Sequence, residues 1–225
     1  MSKRKTLPQK NEREKRNFSV ADIRAVEGDS SIDGHPAVYN QVANIGDCFY
    51  EVIEPGAFDN TNFDDVLFSV NHDLDKIPLA RSRRNNGNST MLIKLDEKGL
   101  YFKADLDTEN NSDAKSLYSS VNRGDMNGMS FIFYIKEERW ENLHSDMPTR
   151  HITDIDRVIE ISAVSFPAYT GTDINTRDEF VLDNAKTALE NARSKELDNS
   201  KNKKKDKRNN ALEIQRLKIK IKAKG

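Results

Sequence analysis

The chain has 225 residues, 36 Lys and Arg against 37 Asp and Glu, and 36% hydrophobic residues, enough apolar material for one sizeable domain and marginal for two. Cys48 is the only cysteine, which excludes an internal disulfide and any multi-cysteine zinc site, and no apolar run approaches the roughly 20 residues of a membrane span. The near-neutral total is segregated: seven Lys/Arg against two Glu in residues 1–16, fourteen basic against five acidic residues in 184–225, and fifteen against thirty between them.

An acidic body with two basic arms is therefore expected. Such arms are either solvated tails or contacts for a polyanion or an acidic partner surface. The first sixteen residues lack the apolar stretch of a secretory signal, so the chain is expected to stay in the cytoplasm where it is made.

In chain order, residues 17–26 carry a mixed pattern read as strand. Asp33-Gly34 and Pro36 predict a turn ahead of a strand resumed at Ala37-Val38-Tyr39, together a hairpin. The run Phe49–Ile53 is stopped by Pro55-Gly56, and the apolar run Val66–Val70 ends at His72, which places that histidine at a strand end. The stretches STMLIKL and GLYFKADL, joined by a short turn at Asp96–Gly99, predict two strands, and GMSFIFYIKEERW predicts another, all read as antiparallel sheet. Between them Ser112 can cap a helix whose Ala114, Leu117, Tyr118 and Val121 share one face, with Gly124 just past its end.

A last run, RVIEISAVSFPAY, is apolar enough for a sheet interior and is closed by Pro167. Beyond residue 184 the composition turns to Ala, Lys, Asn and Glu: KTALENARSKEL suits a helix, SKNKKKDKRNN is too charged to form a core, and the final stretch reads equally as helix or strand. Patterning alone gives an α+β, mainly β fold for residues 17–183, between a basic N-terminal arm (1–16) and a basic tail (184–225).

Three positions carry the parts of acyl-transfer chemistry. His72 follows an apolar strand, Ser130 lies in the glycine-bracketed stretch Gly124–Ser130 read as a turn, and Glu160 interrupts the buried-looking strand Val158–Val164. A serine hydroxyl needs a base within hydrogen-bond reach, and the imidazole needs an acceptor to fix its tautomer. Gly128 and Met129 stand where backbone could approach a substrate and donate to an oxyanion. Each residue has a plainer reading: turn serine, hydrogen-bonded structural histidine, solvent-facing glutamate. The hydrolase pattern G-x-S-x-G fails because Ile132 occupies its second glycine position. The four histidines, His35, His72, His144 and His151, have no metal-site spacing, and no phosphate-binding glycine loop is present.

Read in order, Gly34–Asn40, Phe49–Phe58, Asn71-His72-Asp73, Gly124–Phe131 and Glu160–Tyr169 resemble five blocks of the prohead proteases of HK97-type tailed phages, whose fold is similar to that of herpesvirus assembly proteases. The resemblance implies an antiparallel β-barrel core with flanking helices. It implies Ser130 as nucleophile and His72 as general base, and it matches Glu160 to the family's acidic position; herpesvirus relatives use a second histidine, for which His151 or His144 could serve. Ile132 departs from the family, which usually has glycine after its Ser-Phe pair. The resemblance further implies a serine endopeptidase needing no cofactor, packaged in the immature capsid in the host cytoplasm. There it would cut scaffold segments from the major capsid protein and then itself. The portal and a second copy of the chain are further candidate partners, a membrane is not expected, and nucleic acid is disfavoured by the acidic body. The rival reading is an inactive scaffold or assembly protein that kept the fold.

Overall fold

The computed structural model describes residues 13–18, 22–165, 183–198 and 212. Nearly all of the N-terminal arm, the closing residues Phe166–Tyr169 and most of the final stretch lie outside the described residues. The chain divides into two compact units, Met1–Ala185 and Lys186–Gly225, and residues 183–198 are helical. The strands all belong to the first unit.

They form two sheets. The strands are β1 (Arg13–Phe18), β2 (Ile23–Ala25), β3 (Ser31–Val38), β4 (Val42–Ile45), β5 (Phe49–Ile53), β6 (Val66–Val70), β7 (Ala80–Ser82), β8 (Met91–Leu95), β9 (Gly99–Asp105), β10 (Gly128–Glu141) and β11 (Thr149–Val164). The larger sheet runs β1-β10-β11-β5-β4, with β6 also on β11 and β7 on β6; the smaller runs β2-β3-β9-β8. Phe68 of β6 and Phe102 of β9 stack with ring centres 5.3 Å apart, joining the two sheets through one apolar core. No ring of paired strands closes among the described residues.

Several local expectations change. The first strand begins at Arg13, inside the stretch that charge alone assigns to the basic arm, and pairs with β10. Ser31–Val38 is one strand, so Asp33-Gly34 is not a turn; the chain turns at residues 27–30 instead. Pro36 is accommodated because the β3–β9 register shifts between Gly34 and Ala37, a bulge that asks no ladder N–H of it. Gly34 answers a close approach: a Cβ there would lie 1.7 Å from the Asp22 carbonyl oxygen. The helix α1 (Ser112–Asn122) is capped by Asn111, not Ser112; the Asn111 side chain accepts from the amides of Asp113 at 3.0 Å and Ala114 at 3.3 Å. Gly124 follows the helix in the left-handed region, φ 79°, as a helix terminator does.

The larger sheet is mixed, not antiparallel. β11 pairs antiparallel with β10 along one edge, while its other edge takes β5 at Thr149–Ile152 and β6 at Glu160–Ala163, both parallel. The chain from Tyr50 to Val70 thus tracks β11 in one direction, leaving it after Ile53 and touching it again at Asn62, opposite Arg157. Such tracking needs a central strand long enough to serve two short neighbours end to end, and β11 has sixteen residues. At its far end Arg150 is buried between Glu51 and Glu138 and lies over the rings of Phe49 and Trp140. This clamps β5, β10 and β11 together.

Candidate active site

The site forms where β6, β10 and β11 lie side by side. Ser130 is opposite Ser162, and Ser162 is opposite Ser69; one step along, Ile132 is opposite Glu160, and Glu160 is opposite Leu67. Residues matched across strands, and those two apart along one, share a sheet face. Ser130, Ser162, Ser69, Ile132 and Glu160 therefore share one face, while Phe131, Ile161 and Phe68 enter the core from the other. The residues that suggested an apolar strand interrupted by a carboxylate are a core row alternating with a polar one.

His72 reaches this face by a backbone reversal. Asn71 and His72 are both left-handed, φ 52° and 59°, a conformation costing of order 1 kcal/mol or more for a residue with a side chain. Four hydrogen bonds hold it. The Asn71 amide donates to the Ala163 carbonyl at 2.9 Å and the His72 amide to Ser162 Oγ at 3.0 Å. The Asp73 amide donates to the Val70 carbonyl at 3.1 Å, and the Ser165 amide to Asn71 Oδ1 at 3.1 Å. The end of β11 thus positions the loop that carries the imidazole.

The side chains then meet in sequence. His72 Nε2 is 2.6 Å from Ser130 Oγ, and His72 Nδ1 is 2.7 Å from Glu160 Oε2. With Glu160 as a carboxylate, which only accepts, the Nδ1 proton donates to it and Nε2 is left to accept the serine hydroxyl proton. Ser130 and Glu160 are fully buried. The second Glu160 oxygen, Oε1, accepts from Ser69 Oγ, and the Ser69 and Ser162 hydroxyls are 3.1 Å apart. A hydroxyl has one proton; since Ser69 gives its own to Glu160, Ser162 donates to Ser69. A hydrogen-bonded ring results, from the His72 amide through Ser162, Ser69 and Glu160 back to the His72 side chain.

Ser69 and Ser162 were not singled out from the sequence, where each is one serine in an apolar strand. For Ser162 the signal was a period of two, since it is two residues from Glu160; Ser69, three before His72, had no such signal. Gly128 and Met129 lie in β10, matched to Val164 and Ala163, and not in the expected turn, which ends before them. Met129 has β1 and β11 on its two sides, whereas Gly128 is matched to β11 alone, so sheet pairing leaves Met129 less freedom than a turn would to approach a bound carbonyl.

The other histidines are elsewhere. His151 is near the start of β11, nine residues before Glu160 and so roughly 30 Å along the strand; it faces Glu54 at 3.0 Å and Glu141 at 3.6 Å. His144 is in the exposed connection between β10 and β11, at the same far end. His35 lies between Asp22 and Asp96, at 3.1 and 2.9 Å. Among the described residues no group of three His, Cys, Asp or Glu is placed to hold a metal ion.

Hydroxyl, imidazole and carboxylate joined in that order, on a buried face of a mainly β frame, are the arrangement of a serine hydrolase. The family model of the caudovirus prohead serine protease matches residues 19–187. The chain belongs to that family and is a serine endopeptidase of phage capsid maturation. Neither the curated proteins nor the solved structures include a match to it.

Proposed function

We propose that this enzyme hydrolyses the scaffold segment of the major capsid protein inside the immature capsid, in the host cytoplasm, and then cuts its own chain. Ser130 is the nucleophile, His72 the base and Glu160 the orienting carboxylate. The observation that carries this reading is the continuous hydrogen-bonded chain Ser130–His72–Glu160. In the first step Ser130 Oγ attacks the scissile carbonyl while His72 Nε2 takes its proton; the imidazolium, stabilised by Glu160, then protonates the leaving amine. Water, deprotonated by the same nitrogen, releases the acyl group and restores Ser130.

We assign the protease domain to residues 17–183, with Arg13–Arg16 of β1 carrying its sheet into the basic arm 1–16, and the tail to 184–225. The two-sheet body supports reading the fold as a barrel not fully closed: the Thr90 amide donates to the Arg81 carbonyl at 3.0 Å, linking the β7 edge of one sheet to the start of β8 in the other. Self-cleavage is expected in the tail. A protease takes extended substrate, and residues 183–198 are helical, so within 184–210 the cut is placed after residue 198. The released basic segment would take with it any electrostatic tether to acidic scaffold. The portal and a second copy of the chain remain further candidate contacts.

The deciding experiment is co-expression with the capsid protein, followed by intact mass of every product, for wild type and Ser130→Ala. Shortened capsid protein and a protease body ending after residue 198 are expected only with wild type. Unprocessed capsid protein in assembled wild-type particles, with no fluorophosphonate labelling of Ser130, would favour an inactive assembly protein.

A further inference from the structure

A cavity of about 290 Å³ opens beside the His72 loop. It is roughly ten times the volume that a water molecule occupies in the liquid, room for one large side chain. Its walls come from two places. One is the end of β6 and the connection to β7, contributing Val70, Ile77 and Leu79; the other is α1 and the turn after it, contributing Leu117 and Met126. These walls are the two approaches to the reacting groups. Asn71 and Asp73, which flank His72, line the first, and Met126 precedes Ser130 by four residues. Ser69, the donor to Glu160, also lines the cavity.

The chemistry of the lining selects its occupant. Leu117 is buried, and Val70, Leu79 and Met126 are partly buried and packed against the core, so the deep part is apolar. The charges, Asp73 and Lys76 on the loop and Asp113 on the helix, are exposed at the mouth and of both signs. Ile77 of the lining is 83% exposed. An apolar side chain held in water at the lip of a cavity next to a hydrolytic centre is placed to be covered when an extended chain crosses it.

We propose that this cavity is the subsite that holds a bulky apolar side chain of the substrate, of the size of Leu, Met or Phe, within two residues of the scissile bond. The assignment rests on the serine endopeptidase reading of the site. Closing the cavity over such a side chain buries Ile77 and Leu79 with it. It also brings the loop that bears His72 against the substrate, so specificity and orientation of the base are coupled through one segment.

The test uses the full chain and a proteome-derived peptide library, with products sequenced by mass spectrometry. Ser116→Trp, on the exposed face of α1 where it lines the cavity, fills the space without altering the core. Lys115→Trp, exposed on the side of the same helix opposite the cavity lining, is the control. Wild type should favour a large apolar residue over Ala at one position by at least about tenfold in kcat/KM. Ser116→Trp should erase that preference and Lys115→Trp should keep it. Fluorophosphonate labelling of Ser130 reports the reacting groups separately. Labelling without apolar selection at any position, or an unchanged preference in Ser116→Trp, overturns the subsite. Absence of both labelling and cleavage in wild type would instead sink the serine endopeptidase reading itself.

Discussion

Ile132 stands directly opposite Glu160 across β10 and β11, and both are fully buried. The residue at the position where the resemblance expects glycine is thus a cross-strand neighbour of Glu160, and it also shares a sheet face with Ser130, two residues before it. It covers one flank of Glu160 with hydrocarbon, so the carboxylate is left to bind Ser69 and His72. Ile132→Ala is expected to cost about 2–5 kcal/mol of stability through the cavity it leaves. Denaturant unfolding measures this; a loss below about 1 kcal/mol would mean that the flank is not packed as described.

Ser130→Ala and His72→Ala should each abolish processing; Ser130→Ala should leave the unfolding midpoint nearly unchanged, whereas His72→Ala takes a donor from the buried Glu160 carboxylate and should lower it, at a cost of about 1–3 kcal/mol. The double variant should be scarcely slower than either single one, because nucleophile and base act as a unit. Additive losses in residual cleavage rate would mean that the two residues act independently, against the hydrogen bond that joins them.

Glu160→Gln should lower turnover by orders of magnitude, since an amide can present its N–H to His72 Nδ1 and favour the wrong tautomer. His151→Ala and His144→Ala, at the far end of the β10–β11 pair, should cleave within about twofold of wild type, the range expected of residues remote from the chemistry. A dead His151→Ala beside an active Glu160→Gln would reassign the third position.

Ser69→Ala leaves one Glu160 oxygen without its donor, a buried loss of about 1–3 kcal/mol, equivalent to roughly 5- to 150-fold in rate if it falls on the transition state. Ser69→Thr restores the hydroxyl and should rescue the fluorophosphonate labelling rate. A merely structural role would let Ala and Thr behave alike in labelling while both shift the melting temperature.

Tyr101 reports on the smaller sheet. Burial, followed by its hydrogen bond to Asp33, pushes its phenol up from 10.0 to about 12. A group whose folded value is raised adds stability that is complete below its unfolded value, and that contribution fades as pH rises through the folded one. Stability should therefore fall between about pH 10 and 12, less steeply in Tyr101→Phe. In a spectroscopic titration Tyr101 should form tyrosinate late, as should Tyr39, whose phenol is also raised by burial, and only the Tyr101 transition should vanish in Tyr101→Phe.

Much of the site was legible in the linear sequence because its parts are locally odd. A histidine at a strand end, a serine after glycine and a carboxylate within an apolar strand each break the pattern around them, and five ordered blocks bind them to one family. The strand runs at 49–53, 66–70, 91–95 and 99–105 were equally legible, since alternation and β-branched or aromatic residues mark a half-buried strand.

Tertiary structure decided the rest. A period of two gives a strand its faces and not its partners, so nothing local tells that β5 and β6 run parallel along one edge of β11. Nor does it place Ser69 opposite Ser162 and both beside Glu160. Which of Glu160 and His151 lies against His72 was likewise a matter of register: they share one strand, nine residues apart, and only its pairing with β6 and β10 puts the carboxylate at the end where His72 turns back. Asn111 displaced Ser112 as helix cap because the backbone geometry one residue earlier left its side chain facing the free amides. Short-range pattern selects strands and candidate groups; long-range pairing selects which of them meet.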